Sequence, residues 1–218
     1  MLCSINIAME RKIIKITPVR DEFSLTWMIG KFCNYDCMYC PEEYHTTNSQ
    51  HHSLEVLKKS WSNIFNTTKH LRKKYKINFT GGEPTANKNF LPFLTWLWSR
   101  HSDDIDRIVV TSNGSASLRY YIKLSDMVTD LSLSTHSEFM NEEEFFRKCM
   151  SLNKIMIEKD KTLHINIMKE NWNIDRITMY RDLLEKNNVS YSINEIDYSR
   201  RIRDTHLMKG VMNIEQIL

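Results

Sequence analysis

Six short runs rich in β-branched, aromatic and aliphatic residues recur along the chain, each separated from the next by a segment with helical spacing or turn residues. This alternation constrains the fold more than any other feature, because strand, crossover helix and strand in succession build a parallel sheet. The runs lie at 23–29, 77–79, 108–110, 131–134, 163–167 and 191–193. Between the first two, Leu54, Leu57, Trp61, Ile64, Phe65 and Leu71 share a helical face, with Ser53 placed to cap its N-terminus. Further helices are expected over about 89–101, 116–127, 141–154 and 174–187. The helix at 141 opens with Asn141, Glu142, Glu143 and Glu144, where the helix dipole favours acidic side chains. Alternation alone leaves two architectures open, an open doubly wound sheet and a barrel-like curve.

No internal repeat, low-complexity tract or Gly/Ser-rich linker divides the 218 residues, and 41% hydrophobic with 26% charged residues is the make-up of one soluble globular domain. The expected domain is residues 1–218, with a core at about 23–196, a short N-terminal extension at 1–22 and a basic tail at 197–218 carrying Arg200, Arg201, Arg203 and Lys209. A net charge of +3 is too small to argue for nucleic acid or anionic lipid. No stretch approaches the ~18 apolar residues of a membrane span. The expectation is a cytoplasmic protein with neither a membrane nor a nucleic-acid partner; the oligomeric state is not determined by these features.

Four of the five glycines sit at strand ends: Gly30 after the first, Gly81 and Gly82 after the second, Gly114 after the third. Glycine allows positive φ and close approach of backbone to a ligand, and parallel α/β folds bind ligands at the carboxyl ends of their strands. The cysteines are at 3, 33, 37, 40 and 149, an odd number with three crowded into eight residues, which is unlike a secreted disulfide framework. Cys33, Cys37 and Cys40, spaced C-x3-C-x2-C directly after the first strand, bring three thiolates onto one short loop. Three thiolates suit a cubane iron–sulfur cluster with one iron left open; structural zinc wants a closed set of four, which His45 would complete. Spacing leaves both metals open and favours iron–sulfur. Cys149 falls on an apolar helical face and reads as core.

The segment Cys33-Asn34-Tyr35-Asp36-Cys37-Met38-Tyr39-Cys40-Pro41 after a first strand resembles the signature loop of radical S-adenosylmethionine (radical SAM) enzymes. Gly81-Gly82-Glu83-Pro84, at the carboxyl end of the second strand, resembles that family's GGEP motif. The likeness continues through Thr111-Ser112-Asn113-Gly114 and Ser132-Leu133-Ser134-Thr135-His136 and covers about residues 23–170. It implies an α/β fold, a partial (β/α)6 TIM-like barrel with a parallel sheet. It also implies a [4Fe-4S] cluster on Cys33, Cys37 and Cys40, with S-adenosyl-L-methionine chelating the fourth iron and cleaved reductively to a 5′-deoxyadenosyl radical. By the same resemblance Glu83, with the backbone of Gly81 and Gly82, would bind the methionyl amine, Tyr39 would lie near adenine, and Ser134, with Ser112 or Asn113, would face ribose or carboxylate. An oxygen-sensitive enzyme of this kind takes electrons from a reducing donor such as flavodoxin or ferredoxin.

Substrate-facing candidates come from the ends of the later strands: His136 and Glu138 after the fourth, Lys169 and Glu170 after the fifth, Glu195 after the sixth. Titratable groups gathered there suggest a small polar metabolite or a peptide as substrate. Cys3 and Cys149 cannot ligate a second cubane, so the auxiliary clusters of many peptide-modifying relatives are expected to be absent. Two other readings are a glycyl-radical-enzyme activase using the same chemistry, and a zinc-stabilised α/β binding module using Cys33, Cys37, Cys40 and His45.

Overall fold

The computed structural model describes residues 22–41, 43–170 and 173–196. The strands are β1 (Glu22–Met28), β2 (Lys74–Thr80), β3 (Ile105–Ser112), β4 (Asp130–Ser134), β5 (Thr162–Lys169) and β6 (Ser190–Glu195). The helices are α1 (Leu54–Thr68), α2 (Phe90–His101), α3 (Leu118–Ser125), α4 (Glu142–Glu158) and α5 (Ile174–Lys186). All six strands form one sheet whose spatial order is the chain order, and every neighbouring pair is parallel.

That order decides between the two architectures left open above. A doubly wound sheet reverses its direction at a switch point, and this one never does. Right-handed crossovers taken always in one direction put the helices on one face and leave the other concave, which is the partial barrel. The helix-covered face is apolar along the ladder, pairing Ile77 with Ile108, Val110 with Leu131 and Leu133 with Ile165. Trp61, Phe93, Leu97, Tyr121, Leu152 and Tyr180 are fully buried against it. Cys149 is among this core, as its helical spacing implied. With period 2, the other side chains of the same strands face inward, and there the row is polar: Asn166 Nδ2 donates to Ser132 Oγ at 2.8 Å and Ser134 Oγ at 3.2 Å, and Asn166 Oδ1 accepts from Ser192 Oγ at 3.2 Å.

Local signals set the element ends. Ser53 Oγ accepts the Val56 N–H and Asn141 Oδ1 the Glu144 N–H, two N-caps that start α1 and α4. The face expected to run to Leu71 stops being α-helical at Thr68, tightens into a 3-10 turn over Lys69–Leu71 and ends with Arg72 at φ 52°. β2 and β3 each begin three residues before the apolar run that announced them, because Lys74, Lys76 and Arg107 alternate onto the inward face. Except for Glu22, the N-terminal extension with Cys3 lies outside the described residues, as does the basic tail with Arg200, Arg201, Arg203 and Lys209. No helix among the described residues is long and apolar enough to cross a membrane.

Candidate active site

The β1–β2 ladder continues past the ends of both strands and so fixes two loops together. Ile29 N–H donates to Thr80 O at 3.0 Å, Gly82 N–H to Gly30 O at 2.9 Å and Glu83 N–H to Phe32 O at 2.7 Å. The glycine pair is what lets the backbones meet. A Cβ on Gly82 would lie 2.1 Å from Phe32 O, and one on Gly81, which has φ +129°, 2.5 Å from Gly30 O. What these glycines approach is therefore the run of backbone leading into the cysteines. The cysteine loop is closed at its base by a bridge between Phe32 and Thr46, with Cys33 N–H donating to Thr46 O and Thr46 N–H to Lys31 O. Inside it, His45 is buried with Nε2 3.3 Å from Asp36 Oδ1. The histidine offered as a fourth zinc ligand thus sits beside Asp36 of its own loop.

Cys33 and Cys37 are buried, Cys40 is partly exposed, and none of the three is in a disulfide. Tyr35 N–H donates to Cys33 Sγ at 3.4 Å, and Asn113 Nδ2 lies 3.8 Å from the same sulfur. Burial pushes Cys33 up to about 11, and the neighbouring Glu83 and Cys40 push the same way. Burial, then Glu138, raise Cys37 likewise. Thiols in such surroundings become thiolates readily only when a cation joins them, and a metal centre is the usual one. No three His, Cys, Asp or Glu side chains among the described residues already surround an ion-sized space. The three thiols are carried on one loop, Cys33 and Cys37 at its buried side.

Glu83 is buried where β2 and β3 end. Its Oε1 accepts from Thr85 N at 2.9 Å, Thr85 Oγ1 at 2.7 Å and Ser112 Oγ at 2.8 Å, and its Oε2 from Asn113 N at 2.6 Å. Desolvation nevertheless holds its carboxyl above the usual carboxylate range. Ser112 Oγ also pairs with Tyr121 Oη at 2.7 Å, and Asn113 Nδ2 donates to Asn34 Oδ1 at 3.0 Å, so the second and third motifs are joined to the cysteine loop through side chains as well.

His136 and Glu138, on the loop between β4 and α4, close the other side of the cysteines. His136 Nδ1 stands 3.4 Å from Cys37 Sγ and hydrogen-bonds the Tyr39 hydroxyl, while the Tyr39 ring stacks on the imidazole at 5.9 Å. Both oxygens of Glu138 accept the Met38 N–H, at 3.2 and 3.3 Å. Burial lowers His136 to about 4. Ser134 is buried and tied to Asn166. Lys169 and Glu195 instead form an ion pair with each other on the outer side of the β5–β6 edge, with side chains 39% and 77% exposed. Strand alternation explains this, since both share a face with Ile165 and Ile193. The motifs thus converge at one end of the sheet, where these two residues stand on the opposite face.

Several residues of the site are not among the candidates named from sequence. Thr85 supplies two of the four donors to Glu83, and Asn34, Tyr121 and Asn166 each hold a motif residue in place. Thr85, two residues beyond Glu83, was findable as a local side-chain turn, and Asn166 as the polar partner in the alternation of β5.

The family model described as "Radical SAM superfamily" matches residues 27–182. A curated relative, GTP 3′,8-cyclase of Haemophilus ducreyi, is 30% identical over 111 residues, half of this chain and 31% of its own length. Streptococcus suis SuiB bound to its precursor peptide SuiA superposes with a TM-score of 0.60 at 15% identity, over 93% of this chain and 46% of that one. BtrN in complex with AdoMet and 2-DOIA does so with a TM-score of 0.51 at 11% identity, over 89% of this chain and 81% of that one. The chain therefore spans about a third of the curated relative and less than half of SuiB.

Proposed function

Because this chain belongs to the radical SAM superfamily and is an enzyme of that kind, we propose that Cys33, Cys37 and Cys40 hold a [4Fe-4S] cluster beside an S-adenosylmethionine site built on Gly81, Gly82, Glu83, Ser112, Asn113 and Ser134. The observation that carries this reading is the backbone docking of the two motifs, Gly82 on Gly30 and Glu83 on Phe32, which fixes the loop of three cysteines to the turn that carries the buried Glu83 carboxylate. The donor set fits the group: three thiols on one loop, each shielded from water to some degree, are ligands for iron–sulfur. When bound, the cluster and S-adenosylmethionine would supply a 5′-deoxyadenosyl radical able to remove a hydrogen atom from an unactivated C–H bond.

The roles of the chain's own groups follow from their surroundings. Glu83 Oε1 is committed to Thr85 and Ser112, whereas Oε2 accepts one internal N–H and keeps lone-pair capacity for the methionyl ammonium. Ser134, anchored by Asn166, would offer its hydroxyl to ribose or carboxylate. The neutral, hydroxyl- and amide-rich inward row of Ser132, Asn166 and Ser192 supports a polar substrate, either a small molecule or a peptide. A precursor peptide on SuiB and AdoMet on BtrN support a peptide as substrate class and S-adenosylmethionine as cofactor. A reducing donor such as flavodoxin or ferredoxin would deliver the electron, and cysteines in this role support a cytoplasmic location. Lys169 and Glu195 neutralise each other and are assigned to the rim.

Electron paramagnetic resonance of anaerobically reconstituted, dithionite-reduced protein tests the reading. A [4Fe-4S]+ signal that changes when S-adenosylmethionine is added is the expected result. Failure to build a cluster, with zinc bound in its place, overturns it.

A further inference from the structure

We propose that His136 and Glu138 are positioning residues that set the reduction potential of the cluster in opposite directions, His136 raising it and Glu138 lowering it, rather than groups that handle substrate. The inference rests on the reading of Cys37 as a cluster ligand. Three consecutive residues of the cysteine loop are gripped from the β4–α4 loop: Cys37 and Tyr39 by His136 Nδ1, and Met38 by the Glu138 carboxylate. The gripping loop is itself fixed, since Thr135 is fully buried, its N–H donates to Asn166 O at 2.9 Å, and its hydroxyl accepts the Met168 N–H at 3.0 Å. The His136 carbonyl accepts the Phe139 and Met140 N–H groups. Both side chains thus reach the cysteine loop from a rigid base, and substrate would have to displace these contacts to use them.

The signs follow from elementary electrostatics. A thiolate bound to iron carries no proton, so a ring nitrogen 3.4 Å from it is stabilising as an N–H donor and repulsive as a lone pair. With the proton on Nδ1 the Tyr39 hydroxyl accepts from that same N–H, which, directed also at a ligating sulfur, spreads its negative charge and favours the reduced cluster. Glu138 does the reverse. It brings a carboxylate beside Cys37 and engages an amide of the loop whose free N–H would otherwise be available to sulfur. The potential of this centre is then a balance between two side chains two residues apart.

The test is a redox titration, followed by paramagnetic resonance, of the reconstituted full chain without S-adenosylmethionine, comparing the wild type with His136→Phe, Glu138→Gln and Glu138→Asp, with iron and sulfide counted in each. A shift to more negative potential in His136→Phe, a shift to less negative potential in Glu138→Gln and a value near wild type in Glu138→Asp are expected. In wild-type protein labelled with 15N-histidine, the reduced cluster should show a weak coupling to a histidine nitrogen, a readout that needs no variant to fold. Variants that load four irons yet share the wild-type potential, or shift in the same direction, overturn the inference, as does the absence of the histidine coupling. A wild type that takes up no cluster overturns the proposed function itself, and with it this inference, and is recognised by there being no potential to compare.

Discussion

Glu83 and Asn113 are joined across the ends of β2 and β3 by a hydrogen bond of 2.6 Å from the Asn113 amide to the Glu83 carboxylate. Because the backbone N–H of Glu83 is held by Phe32, this one residue links the cysteine loop, the glycine turn and the end of β3. Exchanging it for Gln would turn an amide NH2 toward donors that now share a carboxylate. Glu83→Gln should cost about 2–4 kcal/mol in chemical denaturation. The pH dependence has a definite sign. Glu83 is held above its ordinary 4.5 in the folded state, so its contribution is fully present below that value and is lost as pH rises through the folded pKa. The stability gap between wild type and variant should be widest at the acidic end and narrow as pH climbs.

Gly82 has no room for a side chain, since its Cβ would fall 2.1 Å from the backbone oxygen of Phe32. Gly82→Ala should destabilise the fold by at least about 3 kcal/mol or open the β1–β2 extension. Gly30, whose added Cβ would meet nothing closer than His52 Cδ2 at 3.9 Å, is the control. Thermal melts of the two alanine variants should separate clearly.

Cys37 and Cys149 are both buried, one beside His136 and the other in the helical layer. Cys37→Ala should abolish binding of a full cubane, measured as iron and sulfide per chain after anaerobic reconstitution. Cys149→Ala should leave that count unchanged and appear only as a loss of stability of about 1 kcal/mol.

Arg107 and Asp130 bridge β3 and β4 with two hydrogen bonds, at 2.6 and 2.7 Å. Burial pushes the Asp130 carboxyl up, but the guanidinium and the Thr129 hydroxyl outweigh it, and the group titrates below its ordinary 3.8. Its contribution is therefore present above that value and lost as pH falls through the folded pKa. Asp130→Asn should cost about 1 kcal/mol at neutral pH and remove part of the acid-side loss of stability, as read by melting temperature against pH.

Lys169 and Glu195 pair only at the exposed rim. Lys169→Met and Glu195→Gln should leave cluster loading, the response of its signal to S-adenosylmethionine and the melting temperature within experimental scatter. A lost cofactor response in either variant would return that residue to the site.

The alternation of strand and helix and the two motifs were legible in sequence because each rests on contiguous residues. Period-2 and period-3.6 patterns report burial directly, and Cys33, Cys37 and Cys40 are neighbours along the chain. The same was true of Ser53 and Asn141, whose caps need only the residue three positions on. The direction of winding was not legible in the alternation itself, since it depends on where each returning strand finds a partner, and came only from the resemblance of the motifs. Nor was the split among the titratable residues at the strand ends. His136 and Glu138 met the cysteine loop, about a hundred positions away, while Lys169 and Glu195 met each other.

The linear order of residues by itself determined the parallel α/β class, the three-thiol loop and the position of a glycine-rich turn after the second strand, because these follow from local geometry and nearest-neighbour chemistry. The half-barrel that the motifs implied is seen in the unreversed strand order, and tertiary structure alone decided that Gly82 serves the approach of Phe32 and that His136 belongs to Cys37. Each of these is a contact between segments far apart in the chain, whose partners are chosen by the packing of the whole sheet and not by the residues on either side.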